Sequence, residues 1–156
     1  MGNELDEYWM YQAIKNAHIS EQNNEVPVGA IIVKNKEIIG NGYNLMISNN
    51  DSSAHAEIQA LRSAGEQIQN YRIINATLYV TLEPCMMCVG AMVHARIQRV
   101  VFGAYDHKTG MAITKDTCFE KDYHNHKVEV QGGVLEKECA NLLKEFFKKR
   151  RKILAI

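Results

Sequence analysis

Two short motifs contain the residues of this sequence that are best suited to chemistry. The first is Cys85-Met86-Met87-Cys88, directly after Pro84, and the second is His55-Ala56-Glu57, further upstream. Proline suits the first turn of a helix, and two cysteines three residues apart on a helix point to the same side. One histidine and two cysteines can bind zinc and leave the fourth tetrahedral position for water, as in catalytic sites. Glu57 is then the carboxylate that exchanges protons with that water.

A Cys-x-x-Cys pair also has two common alternative interpretations. It can be a redox-active dithiol or half of a structural zinc knuckle. The redox interpretation gives no role to His55 or Glu57. A structural knuckle needs a fourth ligand at close spacing, whereas the other cysteines, Cys118 and Cys139, lie far downstream. The joint occurrence of Pro-Cys-x-x-Cys and His-x-Glu favours a catalytic site and is the signature of zinc-dependent nucleoside and nucleobase deaminases.

The elements that must hold these motifs follow an α/β pattern. Helical spacing of apolar residues predicts helices at residues 4–18, 54–65, 85–95 and 135–153. Short apolar runs predict strands at residues 28–33, 37–43, 76–81, 99–104 and 128–131. The first two strands predict a hairpin, and the strand, helix and strand between residues 77 and 104 predict a parallel pair. We expect one domain over residues 1–156, with a mixed sheet of about five strands and helices on both faces.

Both motifs are expected in the first turn of a helix. Ser52 and Ser53 can cap the upstream helix, and Gly65 is expected to end it. Two helix N-termini that meet at one metal bring positive dipole ends and free N–H groups to the reacting atoms. In the N-terminal helix, Tyr8 and Trp9 are both expected to lie in the core.

The charge distribution is more informative than the total charge. The 156 residues have a formal net charge of zero, so the chain as a whole does not attract nucleic acid. Near the C-terminus, however, six basic residues lie beside a single acidic one, Glu145. The basic residues are Lys144, Lys148, Lys149, Arg150, Arg151 and Lys152. Such a run is either a solvated helix face or a nucleic-acid-binding surface.

The sequence shows no targeting signal. Its N-terminal segment is acidic and lacks the order of a signal peptide, and position 6 breaks the myristoylation pattern. No apolar run approaches the length of a membrane span. Four cysteines, two of them assigned to a metal, fit a reducing compartment. We therefore expect a cytoplasmic protein without a membrane partner.

Segments along nearly the whole chain resemble the bacterial tRNA-specific adenosine deaminases, members of the zinc-dependent cytidine/deoxycytidylate deaminase superfamily. The matching segments are residues 25–30, 42–44, 54–58, 70–72, 76–85, 100–104, 108–110 and the basic tail that begins at Phe146. The zinc motif marks the superfamily, and the other segments narrow the resemblance to the tRNA enzymes. It implies a three-layer α/β/α cytidine-deaminase-like fold, conversion of wobble adenosine to inosine in an arginine tRNA, and a homodimer.

The resemblance also implies roles for individual residues. One zinc ion per chain would be held by His55, Cys85 and Cys88, and Glu57 would shuttle the proton. The flipped base would meet Asn44, Val28, Ala54 and Leu82, and the nucleotide backbone would meet Asp106. The RNA-binding surface would comprise Phe146, Phe147, Lys148, Lys149, Arg150 and Arg151, with one phenylalanine packed in the core and the other stacked on a base. From residue type alone, the apolar members suit the core equally well, and the asparagine and aspartate suit turns.

Two other functions remain compatible with the sequence. A deaminase of this fold can act on a small free base or nucleoside, such as guanine or cytosine, and a zinc-stabilised module can bind RNA without catalysis. The cationic tail argues against the first, because a small molecule does not need it. Glu57 argues against the second, because metal binding does not need it. Met86, Met87 and Met92 are compatible with a dimer interface and with the core.

Overall fold

The computed structural model describes residues 4–154. Residues 1–3 and 155–156, the two ends of the predicted domain, lie outside the described residues. The helices are α1 (Glu4–Gln22), α2 (Ala56–Ile68), α3 (Met86–His94) and α4 (Glu136–Leu154), with a 3₁₀ turn at Cys118–Glu120. The strands are β1 (Gly29–Lys34), β2 (Glu37–Tyr43), β3 (Thr77–Leu82), β4 (Arg99–Ala104) and β5 (Glu129–Gln131).

The five strands form one mixed sheet in the order β2-β1-β3-β4-β5. Strand β1 is antiparallel to both β2 and β3, whereas β3, β4 and β5 run parallel to one another. Asn35 and Lys36 join β1 to β2 with φ angles of 52° and 62°. Positive φ at both central residues is what a two-residue hairpin turn requires. The predicted hairpin, parallel pair and mixed sheet are confirmed.

Helices cover both faces of the sheet, which confirms the three-layer architecture. Side chains of β1, β3 and β4 alternate between the two faces, as the period of two in a strand dictates. Ile32 and Leu78 pack with α2 and α3 on one face, and Ile31 and Tyr79 pack with α1 and α4 on the other. Gly42 allows α2 to lie close to β2, because a Cβ atom there would collide with the carbonyl oxygen of Ala56. The N-terminus of α2 is thereby fixed against the sheet.

A partly buried ion pair fastens α1 to the parallel strands. The guanidinium of Arg99 donates two hydrogen bonds to the carboxylate of Asp6, each 2.8 Å long. The hydroxyl of Tyr79 donates a third to the same carboxylate at 2.8 Å. Charge-assisted, paired hydrogen bonds of this kind fix geometry as well as adding stability. They hold α1 against β3 and β4.

Three local predictions about the helices were wrong. Helix α2 passes through Gly65 and ends at Ile68, because Gln69 takes the left-handed conformation with φ of 55°. Neither Ser52 nor Ser53 caps α2. Tyr8 is exposed, whereas Trp9 is buried as predicted.

Within residues 4–154, no helix combines the length and the apolar character needed to cross a membrane.

Candidate metal centre and active-site cavity

The N-termini of α2 and α3 meet on one side of the sheet and bring three metal-binding side chains together. His55 is the N-cap residue of α2, Cys85 is the N-cap residue of α3, and Cys88 lies in the first turn of α3. The Nδ1 atom of His55 lies 3.6 Å from Sγ of Cys85 and 3.5 Å from Sγ of Cys88. All three donor atoms lie within 4.8 Å of one another. The structure therefore places together the three side chains that the sequence selected.

The spacing of these donors fits a tetrahedral zinc ion. Zinc binds imidazole nitrogen at about 2.0–2.1 Å and thiolate sulfur at about 2.3 Å, so a tetrahedral ion separates the two donor atoms by about 3.5 Å. The observed nitrogen-to-sulfur distances are 3.6 and 3.5 Å. One nitrogen and two sulfurs also form a donor set of the type that zinc prefers. The group can hold a metal ion without rearrangement of its side chains.

The electrostatics of the cysteine pair suit cation binding. Hydrogen bonds from Cys88 and His55 stabilise the Cys85 thiolate and lower its pKa to about 4. The hydrogen bond to Cys85, together with burial, raises the pKa of Cys88. The pair thus shares one proton between two sulfurs. A metal ion displaces such a proton when both sulfurs bind it.

Glu57 lies at the floor of the site, in the first turn of α2. Its carboxyl group is buried, and burial raises its pKa to about 7. Hydrogen bonds from its own backbone N–H and from Cys88 only partly offset that burial. A carboxyl group that titrates near neutral pH can both accept and return a proton.

A cavity of about 150 Å³ opens above these residues. This volume is smaller than the about 300–1,000 Å³ of pockets for drug-sized ligands, so the cavity suits a ligand as small as a single ring system. Of the residues predicted from sequence, the lining includes Val28, Asn44, His55, Glu57, Leu82, Cys85 and Asp106. Ala54, also predicted there, is fully buried and is not one of the described residues that line the cavity. Sequence reasoning missed Val26, Met46, Glu83 and Thr109, although Glu83 adjoins the Pro-Cys-x-x-Cys motif.

Asn44 joins the wall of the cavity to the metal-binding helix. Its side-chain oxygen accepts a hydrogen bond of 2.9 Å from the backbone N–H of Ala56, so it caps α2 in place of the predicted serines. Its side-chain nitrogen donates a hydrogen bond of 3.1 Å to the carbonyl oxygen of Val26. Asn44 therefore combines a cavity position with a fixed orientation.

The loop after β4 also contributes residues to the cavity lining, namely Asp106 and Thr109. We call residues 105–115 the rim loop. Within it, the carboxylate of Asp106 accepts hydrogen bonds from the backbone N–H groups of Lys108 and Thr109 and from the Thr109 hydroxyl. Asp106 thus caps its own loop and also lines the cavity. The two roles considered for it from sequence are compatible.

The basic tail lies on α4, and its two phenylalanines have different surroundings. Phe146 is 8% exposed and Phe147 is 42% exposed. Phe146 is thus the phenylalanine that packs in the core, as expected of one of the two, and the Arg150 guanidinium lies 5.1 Å from the centre of its ring. Phe147 is the exposed one, and its stacking on a base stays a prediction. The side chains of Lys148, Lys149, Arg150 and Arg151 are all exposed.

Comparisons with known proteins show which family the chain resembles over nearly its whole length. The model of the MafB19-like deaminase family matches residues 4–151. A tRNA-specific adenosine deaminase of Buchnera aphidicola is 49% identical over 154 residues, which cover 97% of this chain and 99% of the relative. One of Haemophilus influenzae is 51% identical over 150 residues, covering 96% and 87%. A chain from a structural study of A-to-I editing by tRNA:A34 deaminases aligns with a TM-score of 0.84 at 38% identity, over 87% of this chain and 99% of that one.

Proposed function

The chain belongs to the MafB19-like deaminase family and, within it, to the tRNA-specific adenosine deaminases, and from this premise we propose how its residues convert wobble adenosine to inosine in a tRNA anticodon. The reaction replaces the exocyclic amine of adenine with oxygen from water and releases ammonia. One observation carries the proposal. Buried Glu57 and a three-donor metal group share the floor of a cavity sized for one base.

Zinc is the metal that we assign to His55, Cys85 and Cys88, one ion per chain. The match between their spacing and a tetrahedral nitrogen and sulfur site supports this assignment. When bound, zinc supplies a water molecule acidic enough to act as the nucleophile at neutral pH. Metal analysis of the wild-type protein should find one zinc ion per chain, and the Cys88→Ala variant should have lost it.

Glu57 is the proposed proton carrier. It accepts a proton from the attacking water and passes it to the adjacent ring nitrogen of adenine as oxygen bonds to the amine-bearing carbon. It next takes the second proton of that water from the new hydroxyl group and gives it to the amine, so that ammonia leaves as the carbon–nitrogen bond breaks and the carbon–oxygen double bond forms. One residue can serve as base and then as acid because its pKa is about 7.

The base pocket is formed by the walls of the cavity. Asn44 orients the base by hydrogen bonding, and Val28 and Leu82 pack against its faces. Ala54 supports this wall from behind, in keeping with its complete burial. The cavity has no room for the neighbouring nucleotides, so the base must leave the stack to react. Anticodon loops offer such unstacked bases.

RNA affinity is assigned to Asp106 at the mouth of the cavity and to the exposed face of α4. Lys148, Lys149, Arg150 and Arg151 contact phosphates, and Phe147 stacks on a base. Phosphate contacts fix the position of an RNA without reading its sequence. An arginine tRNA is the proposed substrate, and the enzyme is proposed to act in the cytoplasm as one catalytic domain.

The decisive experiment compares an anticodon stem-loop carrying wobble adenosine with free adenine, guanine and cytosine, using zinc-loaded protein. We expect inosine and ammonia from the stem-loop and no ammonia from the free bases. A stem-loop with an arginine anticodon should react faster than one with another anticodon. Ammonia from a free base would favour the small-molecule deaminase, and RNA binding without any product would favour the non-catalytic module.

A homodimer completes the proposed RNA-binding surface. A groove of about 1,060 Å³ between α2 and α3 is lined by Ile58, Leu61 and exposed Tyr71. Met86 and Met87 on α3 are also exposed, whereas Met92 belongs to the core. An exposed apolar region of this kind is typical of an interface, and we propose that a second copy of the chain covers it.

Sedimentation equilibrium tests the dimer. We expect a dimer at micromolar concentration, and a monomer when Leu61→Lys places a charge in the groove. Tyr11→Lys, at an exposed position of α1, is the matched control and should remain dimeric. A monomeric wild-type protein would contradict the proposal.

A further inference from the structure

Glu83 is a buried carboxylate without a role in the proposed chemistry. It follows β3 directly and lies two residues before Cys85, so it connects the central sheet to the metal-binding helix. Its side chain is buried, and it lines the cavity beside Asp106 and Thr109. A buried charge is costly unless hydrogen bonds compensate for it. Its partners therefore show what it holds in place.

Five hydrogen bonds to Glu83 all come from the rim loop. Oε1 accepts one from the backbone N–H of Asp106 at 3.1 Å and one from the hydroxyl of Thr114 at 2.5 Å. Oε2 accepts three from backbone N–H groups, those of Ala112 at 3.2 Å and of Ile113 and Thr114 at 2.8 Å each. A single side chain thus fastens both ends of the loop.

The attachment extends to the mouth of the cavity. The backbone of Asp106 is tied to Glu83, and the Asp106 carboxylate in turn holds Thr109. Gly110 leaves room for this arrangement, because a Cβ atom there would collide with the Glu83 carboxylate. The backbone N–H of Met111 also donates to the carbonyl oxygen of Pro84 at 3.0 Å. The rim loop is therefore fixed to the segment that carries the metal ligand Cys85.

We propose that Glu83 is a positioning residue that holds Asp106 and Thr109 at the cavity mouth and thereby sets the affinity of the enzyme for RNA. The inference rests on the proposed function, in which Asp106 meets the nucleotide backbone. Both carboxylate oxygens of Glu83 accept hydrogen bonds from the rim loop, so its assigned role is to hold that loop and not to react with the base. Its effect is to fix the loop before RNA arrives, so that binding does not have to order it.

Glu83→Gln separates the two ends of this attachment. A glutamine has one accepting oxygen and one donating amide, so one of the two oxygen positions must face N–H donors with its own NH₂ group. The Oε2 position faces three backbone N–H groups, whereas Oε1 faces one backbone N–H and a hydroxyl that can rotate to accept. The amide will therefore take the Oε1 position. The variant selectively releases Asp106 and keeps residues 112–114 attached.

The test measures kinetics and amide hydrogen exchange on zinc-loaded Glu83→Gln. We expect KM for the anticodon stem-loop to rise roughly tenfold, the change produced by about 1.4 kcal/mol of lost binding, with kcat per zinc ion within about threefold of wild type. Exchange at the Asp106 amide should accelerate, while the amides of residues 112–114 stay protected. Asp116→Asn, which alters an exposed ion pair with Lys121 further along, is the control and should match wild type.

Thr114 provides a milder variant should Glu83→Gln fail to fold. Thr114→Val removes only the hydroxyl donor and should give a smaller KM increase, whereas Thr114→Ser keeps the donor and should behave as wild type. Wild-type KM in both Glu83→Gln and Thr114→Val would overturn the proposal, as would loss of zinc with unchanged KM. If the wild-type protein does not deaminate the stem-loop, the proposed function fails. Unchanged exchange at Asp106 overturns the positioning role independently of that result.

Discussion

Glu57 and Glu83 are 5% and 2% exposed beside the same cavity, yet their surroundings have opposite effects on their charge. At Glu57, burial prevails and raises the pKa to about 7. At Glu83, burial also opposes ionisation, but the hydrogen bonds from Thr114, Ile113 and Asp106 outweigh it and lower the pKa. A carboxylate with few donors can exchange protons near neutral pH, whereas the lowered pKa of one with five donors keeps it ionised there. Glu57 is thus suited to proton transfer, and Glu83 is suited to holding the rim loop in one conformation.

The largest expected effect comes from Glu57→Gln. Removal of the proposed proton carrier should lower kcat by a factor of about 10²–10⁴, the range for general acid–base catalysis. The zinc content should stay at the wild-type value, because Glu57 is not a ligand in the proposed site. Single-turnover deamination and metal analysis on the same preparation provide the check. A zinc-free variant would show instead that Glu57 belongs to the metal site.

The same two glutamates should differ in their contribution to stability. Glu83→Gln should lower the free energy of unfolding by about 1–3 kcal/mol, because it leaves a buried N–H group without an acceptor. Glu57→Gln removes a carboxylate whose charge is disfavoured by burial, so it should leave that free energy unchanged or increase it. Urea unfolding at pH 8 measures both. An equal decrease in the free energy of unfolding of the two variants would contradict the proposed difference between Glu57 and Glu83.

The basic tail on α4 is expected to contribute to RNA binding and not to the chemical step, as proposed for Glu83. Changing Lys148, Lys149, Arg150 and Arg151 together to glutamine should raise KM for tRNA and leave kcat near the wild-type value. When the logarithm of the association constant for tRNA is plotted against the logarithm of the salt concentration, each lost phosphate contact should make the slope shallower by somewhat under one unit. A salt series of deamination rates supplies both quantities. An unchanged slope would mean that these residues form only a solvated helix face.

The smallest predicted effect concerns Glu25, a second buried glutamate whose carboxylate, like that of Glu83, is held by hydrogen bonds from a loop. Its carboxylate accepts hydrogen bonds from the backbone N–H groups of Ile47 and Ser48 and from the Ser48 hydroxyl. Burial opposes ionisation there, but the hydrogen bonds lower its pKa below the ordinary value of 4.5. The stability that it contributes is therefore complete above pH 4.5 and is lost as the pH falls through the lowered pKa.

Thermal melts between neutral and acidic pH test this expectation. Glu25→Gln should melt at a lower temperature than wild type at pH 7, and the difference should shrink as the pH falls below 4.5. Glu129→Gln, at an exposed position on β5, is the control and should follow wild type. A difference that grows in acid would reverse the assigned direction of the pKa shift.

The parts of this molecule that sequence predicts are those encoded locally. The proposed metal ligands and Glu57 lie in short motifs, and short apolar runs predict the strands. Gly65 misled the prediction because a glycine on the outside of a helix costs only about 1 kcal/mol, which packing of the rest of α2 can offset. Asn44 caps α2 from 12 residues away, and the donors to Glu83 lie 23 to 31 residues away. Contacts between residues this far apart in the chain produce no recognisable pattern in a single sequence.

The position of β1 in the sheet has a consequence for the order in which the chain can fold during synthesis. Strand β1 lies between β2, its neighbour in sequence, and β3, which begins at Thr77. The hairpin can close early, but the other edge of β1 stays unpaired until β3 has left the ribosome. The ion pair between Asp6 and Arg99 closes later still, across 93 residues. The nascent chain thus carries an open β edge through the middle of its synthesis, and that interval is when it is most exposed to aggregation.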